Sequence, residues 1–353
     1  MAVADSSDGV GPAPGVEPTP VAEPAPVVSS APVVRVISDG VVRRVDVPLG
    51  EVAALLGSDG ESVWVHLHRA SEAQLSELAS SLGFHELAVR SALAPHQRSK
   101  LDHFASHLFL AGHQVSLDSD TSKLQIAEVD SFIGDRWVIT LTKSGGLDES
   151  SVLQRLEDSI GSGQSDVAFV IYALMDTILE GYFDVVEAFE EYFDNIAAEI
   201  FDEEPLRPDE QRQWFSMRQA LIGFHRLAFP LREAIGSLIR DSQHLIGHEA
   251  RPYYQDLYDH VLRITESTES LRDLVSTIVE TNLSLRDYRQ NQVMKKVTSW
   301  AGIIAVPTLV TGFYGMNVEF PSIATGWGAL IAVVLMVSTS LLLYIQFKRR
   351  DWL

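Results

Sequence analysis

Residues 311–320, TGFYGMNVEF, hold the polar side chains with the clearest chemistry in the sequence. They end an apolar stretch, and the amide of Asn317 is followed two residues later by the carboxylate of Glu319. Repeated around a symmetric assembly, Asn317 would present a ring of neutral oxygens. Such a ring suits a hydrated divalent cation, because Mg²⁺ loses its water reluctantly and oxygen acceptors can bind the water shell instead. A ring of Glu319 carboxylates would concentrate cations at the same mouth.

A second interpretation of this segment needs no ion. Gly315 and Asn317 are also residue types that favour a turn, and a turn is required wherever two apolar segments are joined. The residues alone leave the cation filter and the connecting turn as equally good hypotheses.

No catalytic motif is found in the sequence. It lacks a G-x-x-x-x-G-K-[ST] loop, a Rossmann glycine set, a G-x-S-x-G nucleophile and an H-E-x-x-H zinc site, and it contains no cysteine. His103 and His107 have the spacing of a zinc pair if their segment is helical, but surface or core histidines are the favoured interpretation. We therefore expect neither an enzyme nor a cofactor.

The charge balance indicates which partners the chain can have. It contains 48 acidic residues against 27 Lys and Arg, a formal net charge of −21. This excludes nucleic acid, because phosphate binding needs a basic surface. Cations are the natural counterparts.

Two stretches without ionisable residues, 297–313 and 327–347, lie near the C-terminal end. Each can cross about 30 Å of hydrocarbon. Lys295 and Lys296 precede the first, and basic residues 348–350 follow the second, so the positive-inside rule places both termini in the cytoplasm and residues 314–326 outside. The sequence predicts a multi-pass protein of the cell (inner) membrane, in contact with the lipid bilayer. A buried hairpin of a soluble protein is the disfavoured alternative.

The first span carries a stripe of small and polar residues. Two helices from one subunit enclose no polar path, because every backbone group in lipid must be satisfied, so transport would need several copies. Counting in sevens from Asn291 gives Thr298, Ala305 and Gly312. The adjoining rows hold Glu280, Asp287, Met294, Ala301 and Thr308. This stripe predicts a pore-lining face, with ordinary oligomeric helix packing as the alternative.

The strands and helices that must position these residues are predicted from the sequence pattern, which indicates an α+β membrane protein. Alternating apolar residues predict strands at 33–37, 41–49, 62–70, 107–117, 124–134 and 136–143. The segment 38–40 predicts a tight hairpin between the first two strands, and Gly134 predicts a turn between the last two. Ser71 and Gly83 bound a helix. The predicted segments are a disordered Pro-rich tail (1–32), a cytoplasmic α/β domain (33–148), an acidic helical hairpin (149–250), a long stalk and pore helix (251–313), an outer loop (314–326), a second span (327–347) and a basic C-terminus (348–353).

Ordered motifs over residues 60–353 closely resemble the CorA family of magnesium and divalent-cation channels. They are YGMN at the end of the first span, NQVMKKVT before it, KRRDWL after the second span, and FPLREAIGSLIRD and YYQDLYDHVLRI upstream. The resemblance implies a funnel-shaped homopentamer, with the long helix of each subunit lining the pore.

The resemblance also implies roles for individual residues. Asn317 would form the selectivity ring, and Gly315 and Met316 would shape the turn, with Tyr314 beside Glu319 at the outer mouth. Asn291 matches a polar pore position. Val297 and Ala305 fall where relatives often carry bulkier gate residues, so Met294 is an alternative gate. Asp256, with Asp259 beside it, matches an acidic position at which cytoplasmic Mg²⁺ closes relatives.

The function expected from these features is passive, potential-driven uptake of Mg²⁺, with Co²⁺ and Ni²⁺ also admitted. Mg²⁺ is then both the transported and the regulatory ion. A zinc or proton-coupled transporter of the same superfamily and a non-conducting Mg²⁺ sensor are the two alternatives.

Overall fold

The computed structural model describes residues 32–38, 41–57, 61–95, 97–143, 147–159, 167–199, 207–316 and 326–353. Within these ranges, seven strands form one sheet. The strands are β1 (Val33–Ser38), β2 (Val41–Val45), β3 (Ser62–His68), β4 (Lys100–His103), β5 (Leu108–Asp118), β6 (Lys123–Ile133) and β7 (Trp137–Thr142). The Pro-rich tail, residues 39 and 40 and most of the outer loop lie outside the described residues.

The four longest helices of the described chain are the last four in chain order. They are α1 (Val52–Leu55), α2 (Glu72–Leu82), α3 (Glu86–Leu93), α4 (Glu149–Ser159), α5 (Val167–Glu199), α6 (Pro208–Asp241), α7 (Arg251–Tyr314) and α8 (Gly326–Arg349). The range expected to be one acidic hairpin thus contains three helices, α4 to α6. The single long helix predicted over 251–313 is confirmed, because α7 has 64 residues.

The strands follow the order β2-β1-β3-β7-β6-β5-β4. The hairpin predicted for β1 and β2 is confirmed by their antiparallel pairing, with Ser38 opposite Val41. The turn predicted near Gly134 is also confirmed, because β6 and β7 pair antiparallel and the Gly134 amide donates to the Trp137 carbonyl at 2.9 Å. A Cβ at Gly134 would collide with the Trp137 ring, so this turn needs glycine.

The helix predicted between Ser71 and Gly83 is stabilised by local contacts. The Ser71 hydroxyl accepts from the Gln74 amide, and the Gln74 side chain accepts from the Ser71 amide, which satisfies two otherwise free donors of the first turn. Gly83 ends the helix with φ of 74°, a conformation that costs glycine little. Leu75 and Leu78 pack into the apolar core on one face of the sheet.

The described backbone divides into two compact units. The first holds the described residues up to Gln114, Ile126–Thr177 and Ser237–Tyr253, and the second holds Val115–Gln125, Ile178–Gly236 and Tyr254–Leu353. The long helix α5 belongs to both units. The residues predicted to line a pore therefore all lie in the second unit.

Aromatic side chains form much of the core of the second unit. The Tyr182 ring lies 5.2 Å from that of Phe224, and the Phe189 ring lies 5.8 Å from Phe224. The first half of α7 contributes a buried row with alternating spacings of three and four. Its members are Tyr254, Leu257, Val261, Ile264, Thr268, Leu271, Val275 and Ile278. This spacing gives α7 a continuous apolar stripe for packing inside the unit.

Candidate functional site

Two described helices are long and apolar enough to cross a membrane, Arg251–Tyr314 and Trp327–Arg349. The second exposes large apolar side chains along its length, among them Trp327 and Leu342 at 72% and 64% exposure. An apolar surface of this extent is typical of a protein that contacts lipid or another protein. The two spans predicted from composition thus coincide with helices.

One face of the first span is covered within the chain. Ser299 and Val310 are buried, and Gly302, Ile303 and Val306 are half-buried. A Cβ at Gly302 would lie 3.7 Å from the Phe347 ring, so this face of α7 is in contact with α8. The Ser299 hydroxyl donates to the Lys295 carbonyl at 2.8 Å and needs no further partner there.

The residues predicted to line a pore share the other side of α7. With about 100° of rotation per residue, the rows drawn from Asn291 and Met294 point away from the face that contacts α8. Every predicted member is exposed: Glu280, Asp287, Asn291, Met294, Val297, Thr298, Ala301, Ala305, Thr308 and Gly312. The described residues therefore leave this stripe uncovered over its whole length.

The C-terminal end of α7 carries the start of the predicted filter. The helix ends at Tyr314, where the Gly315 amide donates to the Thr311 carbonyl at 2.8 Å, and exposed Met316 follows. Gly315 does not adopt a positive φ. A Cβ there would instead approach the Thr311 carbonyl oxygen to 3.1 Å, so a small residue suits this helix end. Asn317 and Glu319 lie outside the described residues.

The predicted regulatory carboxylates lie near the start of α7. Asp256 and Asp259 are both exposed, and Asp256 Oδ2 lies 3.7 Å from His260 Nε2. Among the described residues of one chain, no group of three His, Asp or Glu side chains could hold a metal ion.

The two histidines considered as a zinc pair lie in the same hairpin but in different environments. His103 ends β4 and is exposed, whereas His107 lies in the following turn and is buried. The His107 ring stacks on Phe104 at 5.1 Å, and its Nδ1 lies 2.9 Å from the Ser106 hydroxyl. Burial lowers the pKa of His107, and the nearby His85 lowers it further. His103 is thus a surface histidine and His107 a core histidine.

Comparison with known proteins places this arrangement in a family. Residues 59–349 match the family model described as "CorA-like Mg2+ transporter protein". The chain belongs to the CorA family. Its α/β domain, long helices and C-terminal apolar helix are the CorA fold, and the family consists of membrane transporters for Mg²⁺ and other divalent cations rather than enzymes.

Individual relatives agree with this assignment. The cobalt/magnesium transport protein CorA of Thermotoga maritima is 28% identical over 82% of this chain and 83% of its own length. The divalent cation transporter CmaX of Pseudomonas aeruginosa is 25% identical over 83% and 88%. The solved structure of the CorA magnesium transporter from Methanocaldococcus jannaschii superposes with a TM-score of 0.73 at 18% identity, covering 92% of this chain and 99% of that one.

Two features of the site were missed by sequence reasoning. The contact of Gly302 with Phe347 joins spans that are far apart in sequence, and no local signal pairs them. The neighbour of Asp256, His260, could have been found from its i, i+4 spacing, because residues four apart share a helix face.

Proposed function

We propose that this CorA-family chain forms a homopentameric channel for passive, potential-driven uptake of Mg²⁺, with Co²⁺ and Ni²⁺ also admitted. The single observation that carries the proposal is the uncovered stripe of α7, which runs to Gly312, two residues before the helix ends at Tyr314. A conducting path needs such a stripe to face a shared axis.

The exposure of α7 outside the apolar span supports assembly. Beyond Ile278 the helix is largely exposed, and Leu283, Tyr288 and Val293 each expose more than half of their surface at 57%, 61% and 58%. Isolated helices are marginal in water, and most helical stability in proteins comes from tertiary packing. Other copies of α7 around an axis would bury these side chains and enclose the polar path that one subunit lacks.

The proposed filter is the ring of Asn317 amides, with Gly315 and Met316 shaping the chain before it. Neutral oxygens can accept hydrogen bonds from the water shell of Mg²⁺, so the ion need not lose that shell to enter. Tyr314 and Glu319 would lie at the outer mouth, where five carboxylates raise the local cation concentration.

The transport energy would come from the membrane potential. A potential of 100 mV, negative inside, is worth roughly 4.6 kcal/mol for a divalent ion, twice the value for a single charge. This drives uptake if both termini are cytoplasmic, as the basic flanks 295–296 and 348–350 indicate for a cell (inner) membrane protein. No nucleotide site is needed for such flux.

Regulation would use Asp256 and Asp259. Their exposure and the lack of further metal ligands in the described part of the chain support a site shared between subunits. Carboxylates that face each other across an interface repel unless a divalent ion bridges them, so cytoplasmic Mg²⁺ would favour a symmetric, closed ring.

Mg²⁺ uptake into liposomes under an imposed potential tests the proposal. We expect Asn317→Ala to lose selective Mg²⁺ flux, because the amide oxygens of the filter are removed. Asn195→Ala is the matched control, since Asn195 is an exposed asparagine on α5 and should leave the flux unchanged. Unchanged flux in Asn317→Ala would contradict the filter.

The same assay separates the alternatives. Flux that requires a pH gradient would indicate a proton-coupled transporter, and flux of Zn²⁺ in preference to Mg²⁺ would indicate a zinc transporter. Absence of any flux in the parent protein would indicate a non-conducting sensor.

A further inference from the structure

A cleft of about 570 Å³ lies between α3 and β4 in the first unit, and none of the residues assigned to transport lines it. We call it the α3–β4 cleft. Its polar lining consists of Arg90, Ser91, Gln97, Lys100, Asp102 and His103. The lining thus holds two positively charged side chains, Arg90 and Lys100, and one carboxylate, Asp102. An excess of positive charge is unusual in a chain with a formal net charge of −21.

The positive charge of the cleft is only partly neutralised. Lys100 Nζ lies 2.5 Å from Asp102 Oδ2 and donates to the Ser91 hydroxyl at 3.2 Å, so its ammonium group is held in place and paired. Arg90 is exposed in the last turn of α3 and has no ion-pair partner within the described ranges. Its guanidinium group presents several donors in a plane that matches carboxylate or phosphate oxygens.

A further donor of the cleft also lacks an acceptor. Gln97 Nε2 is closed off from solvent and makes no hydrogen bond to any residue that the structure describes. Buried amide donors in native proteins are almost always paired. An oxyanion in the cleft would supply an acceptor once the Gln97 side chain rotates to turn this amide towards it.

The apolar part of the lining limits the kind of organic group that a bound anion can have. It is formed by Leu87, Ala94 and Phe104. The faces of the Phe104 ring are already stacked on His85 at 4.7 Å and on His107 at 5.1 Å. The Phe104 ring therefore has no free face on which a nucleotide base could stack. This favours a small ligand over a nucleotide.

We infer that the α3–β4 cleft binds a small phosphate-bearing anion, inorganic phosphate or a small phosphate monoester, through Arg90, Lys100 and Gln97. The Arg90 guanidinium group supplies the unpaired charge, the Gln97 amide fills its missing hydrogen bond, and the Leu87 and Ala94 side chains border the organic part of an ester.

Equilibrium dialysis of radiolabelled inorganic phosphate against the purified full chain, in buffer free of divalent ions, tests the inference. We expect saturable binding of one phosphate per chain. Arg90→Gln should weaken it by about tenfold to a hundredfold, the loss expected for a charge-assisted hydrogen bond. Glycerol phosphate should compete with the labelled phosphate, and adenosine should not.

The matched control is Arg98→Gln, because Arg98 is an exposed arginine close in sequence that does not line the cleft. It should bind phosphate like the parent. No saturable binding in the parent, or equal weakening in the two variants, would overturn the inference. A fall in subunit number in Arg90→Gln, measured by native mass spectrometry, would also overturn it, because the anion of the cleft would then be a carboxylate of another copy.

Discussion

Asp130 and His66 are buried titratable side chains of the first unit whose pKa values are shifted in opposite directions. Burial raises the pKa of Asp130 to about 6, although the Lys143 ammonium group 3.1 Å away opposes this shift. Burial lowers the pKa of His66 to about 4, and the nearby His68 and Arg35 add to the shift. In both cases the folded protein favours the neutral form.

The two shifts give opposite dependences of stability on pH. The folded state binds a proton at Asp130 more tightly than the unfolded chain does, so the stabilisation is complete below pH 4 and is lost as the pH rises to about 6. The folded state binds a proton at His66 more weakly, so stability is lost as the pH falls from 6.5 towards 4. Each effect amounts to about 3 kcal/mol, and they largely offset each other.

Single substitutions should separate these two effects. Relative to the parent, Asp130→Asn should gain stability as the pH rises from about 4 to 6, and His66→Gln should lose it over the same interval. The midpoint of thermal unfolding, followed by fluorescence of the buried Trp64 and Trp137, measures both. Parallel pH profiles for parent and variants would show that these shifts do not govern stability.

At the scale of the element, the decisive property of α7 is that its two sides differ. Because the sequence has no cysteine, single cysteines can be placed on either side without a background reaction. We expect Thr298→Cys and Ala305→Cys to react with a small, water-soluble cationic thiol reagent and lose Mg²⁺ flux, because both positions lie on the uncovered stripe.

Val310→Cys is the control on the opposite side, where Val310 is only 8% exposed. It should remain unmodified in the folded protein and react after denaturation. Rapid modification of Val310→Cys together with protection of Ala305→Cys would mean that the stripe faces another helix and not water, and the pore assignment would be wrong.

Local hydrogen bonding explains which elements could be predicted from the sequence. Ser71 and Gly83 determine the ends of α2 through contacts within a few residues, and the β6–β7 hairpin needs only the turn at Gly134. The long helix α7 and its stripe could also be predicted from the sequence, because helical periodicity is a property of the local sequence.

Other elements depend on contacts between distant segments. β3 pairs in parallel with β7, with Val63 opposite Trp137, and nothing local to either strand specifies that partner. α3 has eight residues and buries only Ala88 and Ala92 while Leu87 is 49% exposed, so its apolar pattern is too weak to predict. The ligands that we expect a second subunit to contribute at Asp256 cannot be predicted from the local sequence either, because they belong to another chain.

At the scale of the whole molecule, the proposed ring should open when its acidic interface no longer binds Mg²⁺. Asp256 is exposed near the start of α7, far along the helix from the filter, so its effect on flux must pass through the arrangement of subunits. In the parent, internal Mg²⁺ at millimolar concentration should bridge neighbouring subunits and close the channel. We expect Asp256→Ala to retain flux under these conditions, because the bridge loses a ligand.

Liposome flux with millimolar internal Mg²⁺, combined with native mass spectrometry, checks this last prediction. Asp273→Ala is the matched control, because Asp273 is an exposed aspartate on the same helix and should stay inhibited like the parent. Parent and variants should all contain five subunits, since the assembly also buries Leu283, Tyr288 and Val293. Equal inhibition of Asp256→Ala and the parent would remove Asp256 from the regulatory site. Loss of the pentamer in Asp256→Ala would instead make this residue a structural contact, because a change in assembly cannot be separated from a change in gating.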